Sequence, residues 1–148
     1  MNPNSRIWIY QANRILNDQE ATQINELSSQ FVATWNSHGT QLLADIELLN
    51  NLHLVVCVDE SHKDASGCSI DSSVRFVKAL EGQFNLDFFD RMLIAYKDKD
   101  AVKLVKANQL NGQLNGEALV FNNLIEKRAQ LENEWLVPAK NIWIANFL

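Results

Sequence analysis

Cysteine, glycine and proline are all scarce in this sequence. The two cysteines, Cys57 and Cys68, are too few for a disulfide framework, and neither belongs to the CxxC pair typical of a structural zinc site. Five glycines and two prolines among 148 residues leave little room for linkers or disorder. We therefore expect a single ordered domain over residues 1–148, with reduced thiols, no bound metal and no cofactor.

Basic residues are also in the minority. The chain has 13 Lys and Arg against 18 Asp and Glu, so its net charge is -5. Because nucleic-acid backbones are bound chiefly by clustered Lys and Arg, we expect no nucleic-acid partner. No apolar run approaches the roughly 20 residues that cross a bilayer, and the start MNPNSRIWIYQ lacks the pattern of a secretory signal. These absences predict a soluble, cytoplasmic protein without membrane insertion.

Apolar periodicity then divides the chain into alternating strands and helices. In chain order the pattern predicts a strand at 6–11, a helix from the capping box Asn17–Glu20 to Gly39, strands at 41–49 and 52–59 joined by an Asn-Asn turn, a helix at 69–84, and a hairpin of 91–96 with 101–105. This order is typical of the split βαβ arrangement. We predict an α+β fold with a ferredoxin-like core, helices on one face and a C-terminal helical extension, although order alone leaves the strand neighbours open.

This assignment predicts which side chains belong to the core. On the central strand we expect His53 and Cys57 to be buried. The apolar face of the helix at 69–84 comprises Ile70, Val74, Val77, Leu80 and Phe84. After a short helical piece near 108–114 and an apolar segment at 118–121, we expect a third long helix capped by Asn122 or Asn123, and a C-terminal segment packed on the core. The inward residues predicted for these last two elements are Leu124, Leu131, Trp135, Trp143 and Phe147.

The stretch DESHKDASGCSIDSS at 59–73 concentrates acids, serines, a histidine and a cysteine between a strand and a helix. Such a loop lies at the carboxyl end of a strand and at a helix N-terminus, where free backbone N–H groups attract anions. We therefore predict a polar pocket, formed with the end of the first helix, that binds a small anionic ligand or a protein partner. Its predicted ligand-binding residues are Asp59, Glu60, Ser66, Gly67, Ser69, Asp71 and Arg91.

Cys68 in this stretch suggests a second function, that of a cysteine-dependent enzyme. A helix N-terminus lowers the pKa of a thiol, and a nucleophile also needs a base or a cationic neighbour. The candidates are His38, His62 and Lys63, and we prefer His38 because the end of the first helix can return to the same edge of the sheet. The structural interpretation, which we favour, makes Ser66, Ser69 and Asp71 helix-capping residues and packs Cys68 on the sheet.

The motifs WNSHG, VDESHKDASGCSIDSSV, FDR and VFNNLIEKRAQLENEW resemble a small bacterial family of uncharacterised function. The similarity runs nearly end to end, and ASGCSID with an upstream W..HG is its most specific mark. Members are often labelled ABC transporter ATPases, which implies nucleotide hydrolysis. Such an ATPase needs GxxxxGK[ST] to hold phosphate and magnesium, and this chain has no such run. Nucleotide hydrolysis is therefore the last of three candidate functions, and the oligomeric state, including a homodimer, stays open.

Overall fold

The computed structural model describes all 148 residues and has the predicted α+β class. Its helices and strands are β1 (Arg6–Gln11), α1 (Asp18–Thr34), β2 (Asn36–Ser37), β3 (Thr40–Gln41), β4 (Leu43–Leu49), β5 (His53–Asp59), α2 (Gly67–Phe84), β6 (Leu93–Asp98), β7 (Ala101–Lys106), β8 (Leu119–Phe121), α3 (Gln130–Asn133) and β9 (Leu136–Pro138). Short 3-10 helices cover Ala107–Gln109, Ala139–Asn141 and Trp143–Phe147.

The first sheet is antiparallel, with the order β1-β5-β4. Its central strand β5 is buried along nearly its whole length, as the continuous apolar run of that segment predicts. The turn between β4 and β5 places Asn50 and Asn51 at positive φ values of 58° and 49°, which asparagine tolerates better than most residues. The predicted Asn-Asn turn is therefore confirmed, and these three strands with α1 have the order of a split βαβ unit.

The second sheet has the order β7-β6-β8-β9. In the ferredoxin-like arrangement, the strand after the second helix lies beside the first strand, but here β6 pairs with its hairpin partner β7 and with β8. The ferredoxin-like order therefore holds for three strands, and β6 does not fill the fourth place beside β1. The outer edge of β1 meets other backbone through one isolated bridge, from Arg6 to Lys127.

Helix α1 begins where its capping box predicts and ends earlier than expected. The Asn17 side chain accepts a hydrogen bond from the Glu20 N–H at 2.8 Å, and the Glu20 carboxylate accepts one from the Asn17 N–H at 3.1 Å. The predicted end at Gly39 is wrong, because Trp35 is already extended and 36–41 form the β2–β3 hairpin. His38 therefore occupies the tight turn of that hairpin, with φ 51°, and not the last turn of a helix.

Helix α2 has the predicted orientation and begins two residues earlier, at Gly67. Val77 and Leu80 are fully buried, whereas Arg75 and Lys78 face solvent. The two long helices pack together through the rings of Phe31 and Phe76, which stack with centroids 4.6 Å apart.

The predicted third long helix is wrong. Only one helical turn forms, at Gln130–Asn133, and Leu124, expected to point inward, is 71% exposed. The segment before this turn is not helical because its backbone pairs with β1 and the residue before it: the Ile7 N–H donates to the Glu126 carbonyl, and the Arg128 N–H donates to the Ser5 carbonyl, both at 2.9 Å. The C-terminal extension is thus helical only in short turns.

Packing of the C-terminal segment follows the prediction in part. Trp135 is buried, Trp143 is half-buried and Phe147 is exposed. The main hydrophobic cluster contains 21 buried residues. In it, Phe121 of β8 and Trp135 next to β9 pack with residues of the first sheet and of both long helices. A smaller cluster of eight residues lies within the second sheet and the C-terminal turns. None of the helices combines the length and the apolarity that crossing a bilayer requires.

Candidate functional site

The start of α2 combines a complete cap with unpaired amides. The Ser66 hydroxyl accepts a hydrogen bond from the Ser69 N–H at 3.1 Å, and the Ile70 N–H donates to the Ser66 carbonyl at 2.9 Å. The N–H groups of Gly67 and Cys68 lie in the first turn and donate to no acceptor in the protein. This end of the helix therefore presents two free N–H groups and the positive end of the helix dipole.

A small cavity of about 200 Å³ lies at this helix start, and we name it the α2 pocket. Its second wall is the end of α1 with the β2–β3 hairpin. The indole N–H of Trp35 donates to the Ser69 carbonyl at 2.8 Å and so ties the hairpin to α2. The lining residues are Phe31, Thr34, Trp35, Asn36, His38, Ser66, Cys68, Ser69 and Ser72.

The α2 pocket brings together the two residues that the sequence suggests as nucleophile and base. Cys68 and His38 both line it and are both exposed. No hydrogen bond joins the Cys68 sulfur to the ring of His38 or His62. The interpretation of Cys68 as a residue packed on the sheet is wrong, because its position in the first turn of α2 turns it to solvent. Cys57 is buried as predicted, and burial raises the pKa of its thiol.

The acidic part of the predicted ligand-binding set lies outside the α2 pocket. Asp59 ends β5, and hydrogen bonds from the side chain and backbone of Ser61 lower its pKa. The Glu60 carboxylate accepts a hydrogen bond from the Ala65 N–H at 2.9 Å. Asp71 is exposed on α2, while His62 and Lys63 lie in the loop before the helix. The structure therefore assembles Ser66, Cys68 and Ser69 with His38, and leaves these five residues apart.

Arg91 lies at a different and larger cavity, which we name the inter-sheet cleft. This cleft has a volume of about 1150 Å³ and is lined by β1, by residues 88–94, by residues 123–127 and by Trp143, with Glu60 at its edge. Asp90, which the FDR motif places next to Arg91, instead forms an ion pair with Lys106 at 2.9 Å, and the hydrogen bond from Lys106 lowers its pKa.

A buried polar network joins the two sheets, and the sequence did not predict it. The Gln11 side-chain carbonyl accepts hydrogen bonds from His53 Nε2 at 3.1 Å and from the Asn123 amide at 3.0 Å. The Gln11 amide donates to the Leu93 carbonyl at 3.0 Å, and the Asn123 carbonyl accepts from the Trp135 indole at 2.9 Å. The partners come from β1, β5 and β6 and from the loops beside β8 and β9, so no local pattern contains them.

His53 is the buried centre of this network, and its predicted burial is confirmed. Its Nδ1 atom lies 3.3 Å from the Asn50 amide, which can only donate, and its Nε2 atom faces the Gln11 carbonyl, which can only accept. The ring is therefore a neutral tautomer with the proton on Nε2. Burial lowers the pKa of His53 to about 3, and the ring also contacts Phe121 and Trp135 at centroid distances of 4.8 Å.

The chain has no group of three or more His, Cys, Asp or Glu side chains arranged to hold a metal ion. No protein-family model, curated protein or solved structure matches this chain, so its function is inferred from the geometry of its own residues.

Proposed function

We propose that the protein binds a small anion in the α2 pocket. The observation that supports this most directly is the pair of unpaired N–H groups, from Gly67 and Cys68, at the start of an 18-residue helix whose cap is otherwise complete. Free N–H groups and the helix dipole together favour negative charge at such a position.

The lining of the α2 pocket supports the same ligand class. In a protein of net charge -5, none of the nine lining residues is Asp or Glu. The second amide proton of Asn36 and the ring of His38 are further hydrogen-bond donors, since the Thr34 and Ser72 hydroxyls already donate to the Phe31 and Cys68 carbonyls. The volume of about 200 Å³ is smaller than the roughly 300–1,000 Å³ of ordinary ligand pockets. The ligand is therefore of the size of phosphate, sulfate or a single carboxylate group.

Gly67→Pro tests this proposal because it removes one free N–H without removing the helix. Proline is favoured at the first helical position, and Ser66 before it already has the extended backbone, φ -85° and ψ 167°, that proline requires. We expect the affinity for inorganic phosphate to fall about tenfold or more, the effect of losing one hydrogen bond to a charged ligand. The readout is the chemical shift of the Cys68 amide in an NMR titration with phosphate.

Gly67→Ala is the matched control, because it keeps the N–H and its added Cβ meets open space. It should bind phosphate as the natural protein does. Equal affinity of the proline and alanine variants, or no saturable shift with phosphate or sulfate, would contradict the proposal. Magnesium-ATP should compete no better than phosphate, since the chain lacks the lysine of a phosphate-binding loop.

Cysteine-dependent chemistry is the second candidate, and one observation favours it. Cys68 is exposed in the first turn of α2 and shares the α2 pocket with His38. A nucleophilic thiol needs a base, and an imidazole in the same pocket can take its proton.

Alkylation of Cys68 by iodoacetamide at pH 6 separates this candidate from simple anion binding. If His38 activates the thiol, Cys68 reacts much faster than free cysteine and His38→Ala slows the reaction. If Cys68 reacts at the rate of free cysteine in both proteins, the candidate fails and the anion proposal is unaffected.

A further inference from the structure

The outer edge of β1 has backbone groups without partners. The Ala12 N–H donates to the Leu52 carbonyl on the β5 side, whereas the Ile7 N–H donates to Glu126 on the opposite side. Because these directions alternate along an antiparallel strand, Ile9 also points away from β5. The N–H and C=O of Ile9 and the C=O of Ile7 therefore form no hydrogen bond within the protein.

This free edge opens into the inter-sheet cleft, where the fourth strand of a ferredoxin-like sheet would lie. The segment around Lys127 pairs with the start of this edge, but the residues before it do not continue the pairing. Lys127 bridges Arg6, so continuing the same register would place Leu124 opposite Ile9. Leu124 instead bonds through its N–H to the Asn122 side chain at 3.3 Å, and its own side chain is 71% exposed. The backbone groups of Ile9 thus face the cleft without a partner strand.

The walls of the cleft combine apolar surface with unpaired positive charge. Phe89, at 39% exposure, and the half-buried Trp143 contribute rings to the lining. Arg6, Arg91 and Lys127 also line the cleft, and none of them forms an ion pair.

With Asp90 paired to Lys106, the other two lining carboxylates offset only two of these three cations and leave the lining with a net charge of about one positive. Asp90 is already paired with Lys106, and the Glu60 carboxylate accepts the Ala65 N–H. Glu126 is the one lining carboxylate with neither kind of partner. The cleft therefore favours a guest that brings negative charge.

We propose that the inter-sheet cleft binds an extended peptide segment of a partner protein, which pairs with β1 as a fourth strand. One guest residue would use its N–H and C=O to bond Ile9, in the manner of other β-strand additions. Apolar guest side chains would pack on Phe89 and Trp143, and flanking acidic residues would meet Arg6, Arg91 and Lys127. This inference goes beyond anion binding in the α2 pocket and does not depend on it.

A labelled model peptide tests the backbone pairing. The probe is an acetylated, fluorescent pentapeptide of sequence Glu-Val-Ile-Val-Glu, followed by fluorescence polarisation with the full chain. We expect saturable binding that weakens about tenfold or more when the central isoleucine is N-methylated, because that change deletes a strand hydrogen bond and keeps the side chain. A peptide with Lys in place of both Glu should bind more weakly at low salt.

A pair of protein variants tests the same bond from the other side. Ile9→Pro removes the outward N–H, and proline is tolerated on an edge strand when its nitrogen faces away from the neighbouring strand. Ile9→Val keeps that N–H and is the control. The proline variant should bind the unmethylated peptide about tenfold more weakly, whereas the valine variant should bind it normally. Circular dichroism checks that both variants fold.

Three results would overturn the proposal. One is no saturable binding of the acidic peptide at millimolar concentration. Another is equal binding of the peptide and its N-methylated form. This comparison uses the natural protein and is therefore valid even if the Ile9→Pro variant does not fold. The third is an apolar dye that binds the cleft while no peptide displaces it, since the cleft would then take small apolar molecules. Equal binding of the Lys peptide would overturn the preference for acidic residues.

Discussion

Two clusters of polar side chains in this protein are built from similar residues and differ in how completely they are hydrogen-bonded. In the network between the sheets, every polar side-chain atom of Gln11 and His53 has a partner. At the α2 pocket and the helix start beside it, the ring of His38 and the N–H groups of Gly67 and Cys68 have none within the protein. Each cluster also contains a tryptophan whose indole N–H is bonded.

The difference separates a structural role from a binding role. Buried polar groups are almost always satisfied, because an unpaired one costs about 1–3 kcal/mol. A fully bonded network therefore stabilises one arrangement of the two sheets and has no unpaired polar atom that could bind a ligand. Exposed donors at a helix start are satisfied by water, which an anion can replace. Histidine content alone would not have distinguished the two clusters.

The largest expected difference is in the reactivity of the two cysteines, one near each cluster. Cys57 lies on the same buried strand as His53, whereas Cys68 lines the exposed α2 pocket. Alkylation of Cys57 requires the sheet to open, so at pH 8 we expect Cys68 to react about a thousandfold faster or more. Mass spectrometry of the labelled peptides measures both rates in one sample. Similar rates in the folded protein would mean that the first sheet is not a stable core.

The two histidines provide the next test, by alanine substitution. His53→Ala should lower the free energy of unfolding by about 3 kcal/mol, since it leaves a cavity and removes hydrogen bonds and ring contacts. His38→Ala should change it by less than about 0.5 kcal/mol, as for most exposed residues. Urea unfolding followed by circular dichroism measures both. Equal effects would remove the distinction between the clusters.

Acid should weaken the inter-sheet network through His53. Its pKa is about 3 in the folded protein and near 6.5 when exposed, so the unfolded chain binds the extra proton between these values. The contribution of His53 to the free energy of unfolding is therefore fully present above pH 6.5. It falls on acidification, by at most about 1.4 kcal/mol per pH unit. His53→Ala should remove this contribution to the slope.

Comparison of the natural protein with His53→Ala between pH 6.5 and 4.5 isolates the histidine, because Glu47, whose pKa burial raises above its usual value, is present in both proteins. Glu20, whose pKa the Arg14 side chain lowers to about 2, stabilises the fold above pH 4.5 and loses that effect only at lower pH. Urea midpoints of both proteins at pH 6.5 and 4.5 therefore suffice. The same change in stability between these pH values in both proteins would show that His53 can be protonated within the fold.

The smallest expected effect is at the cap of α2. Ser66→Ala removes the acceptor for the Ser69 N–H and should cost about 1 kcal/mol, a typical value for a lost N-cap. Ser72→Ala in the same pocket should cost less, because the Ser72 hydroxyl bonds only the Cys68 carbonyl within its own helix and the Arg75 side chain on the surface. Thermal unfolding of the two variants compares them. The reverse order would mean that the pocket wall, and not the cap, stabilises this helix start.

Local contacts explain which parts of the fold could be predicted. The Asn17–Glu20 capping box, the Asn50–Asn51 turn and the apolar face of α2 depend on residues a few positions apart, and all three are present in the structure. The helix predicted after Asn123 failed for the opposite reason. Backbone hydrogen bonds to Ser5 and Ile7, more than a hundred positions away, fix this segment in a non-helical arrangement.

The arrangement of the α2 pocket could likewise be predicted only in part. The sequence by itself determined that Ser66 and Cys68 stand at a helix start after a strand, because capping serines and apolar periodicity are visible locally. Only the tertiary structure decided that the hairpin carrying His38 folds against that start, since the Trp35 indole must reach the Ser69 carbonyl, 34 positions away. Distant partners of this kind leave no periodic trace in the sequence, because each side chain is specified by a neighbour that the chain reaches only after folding.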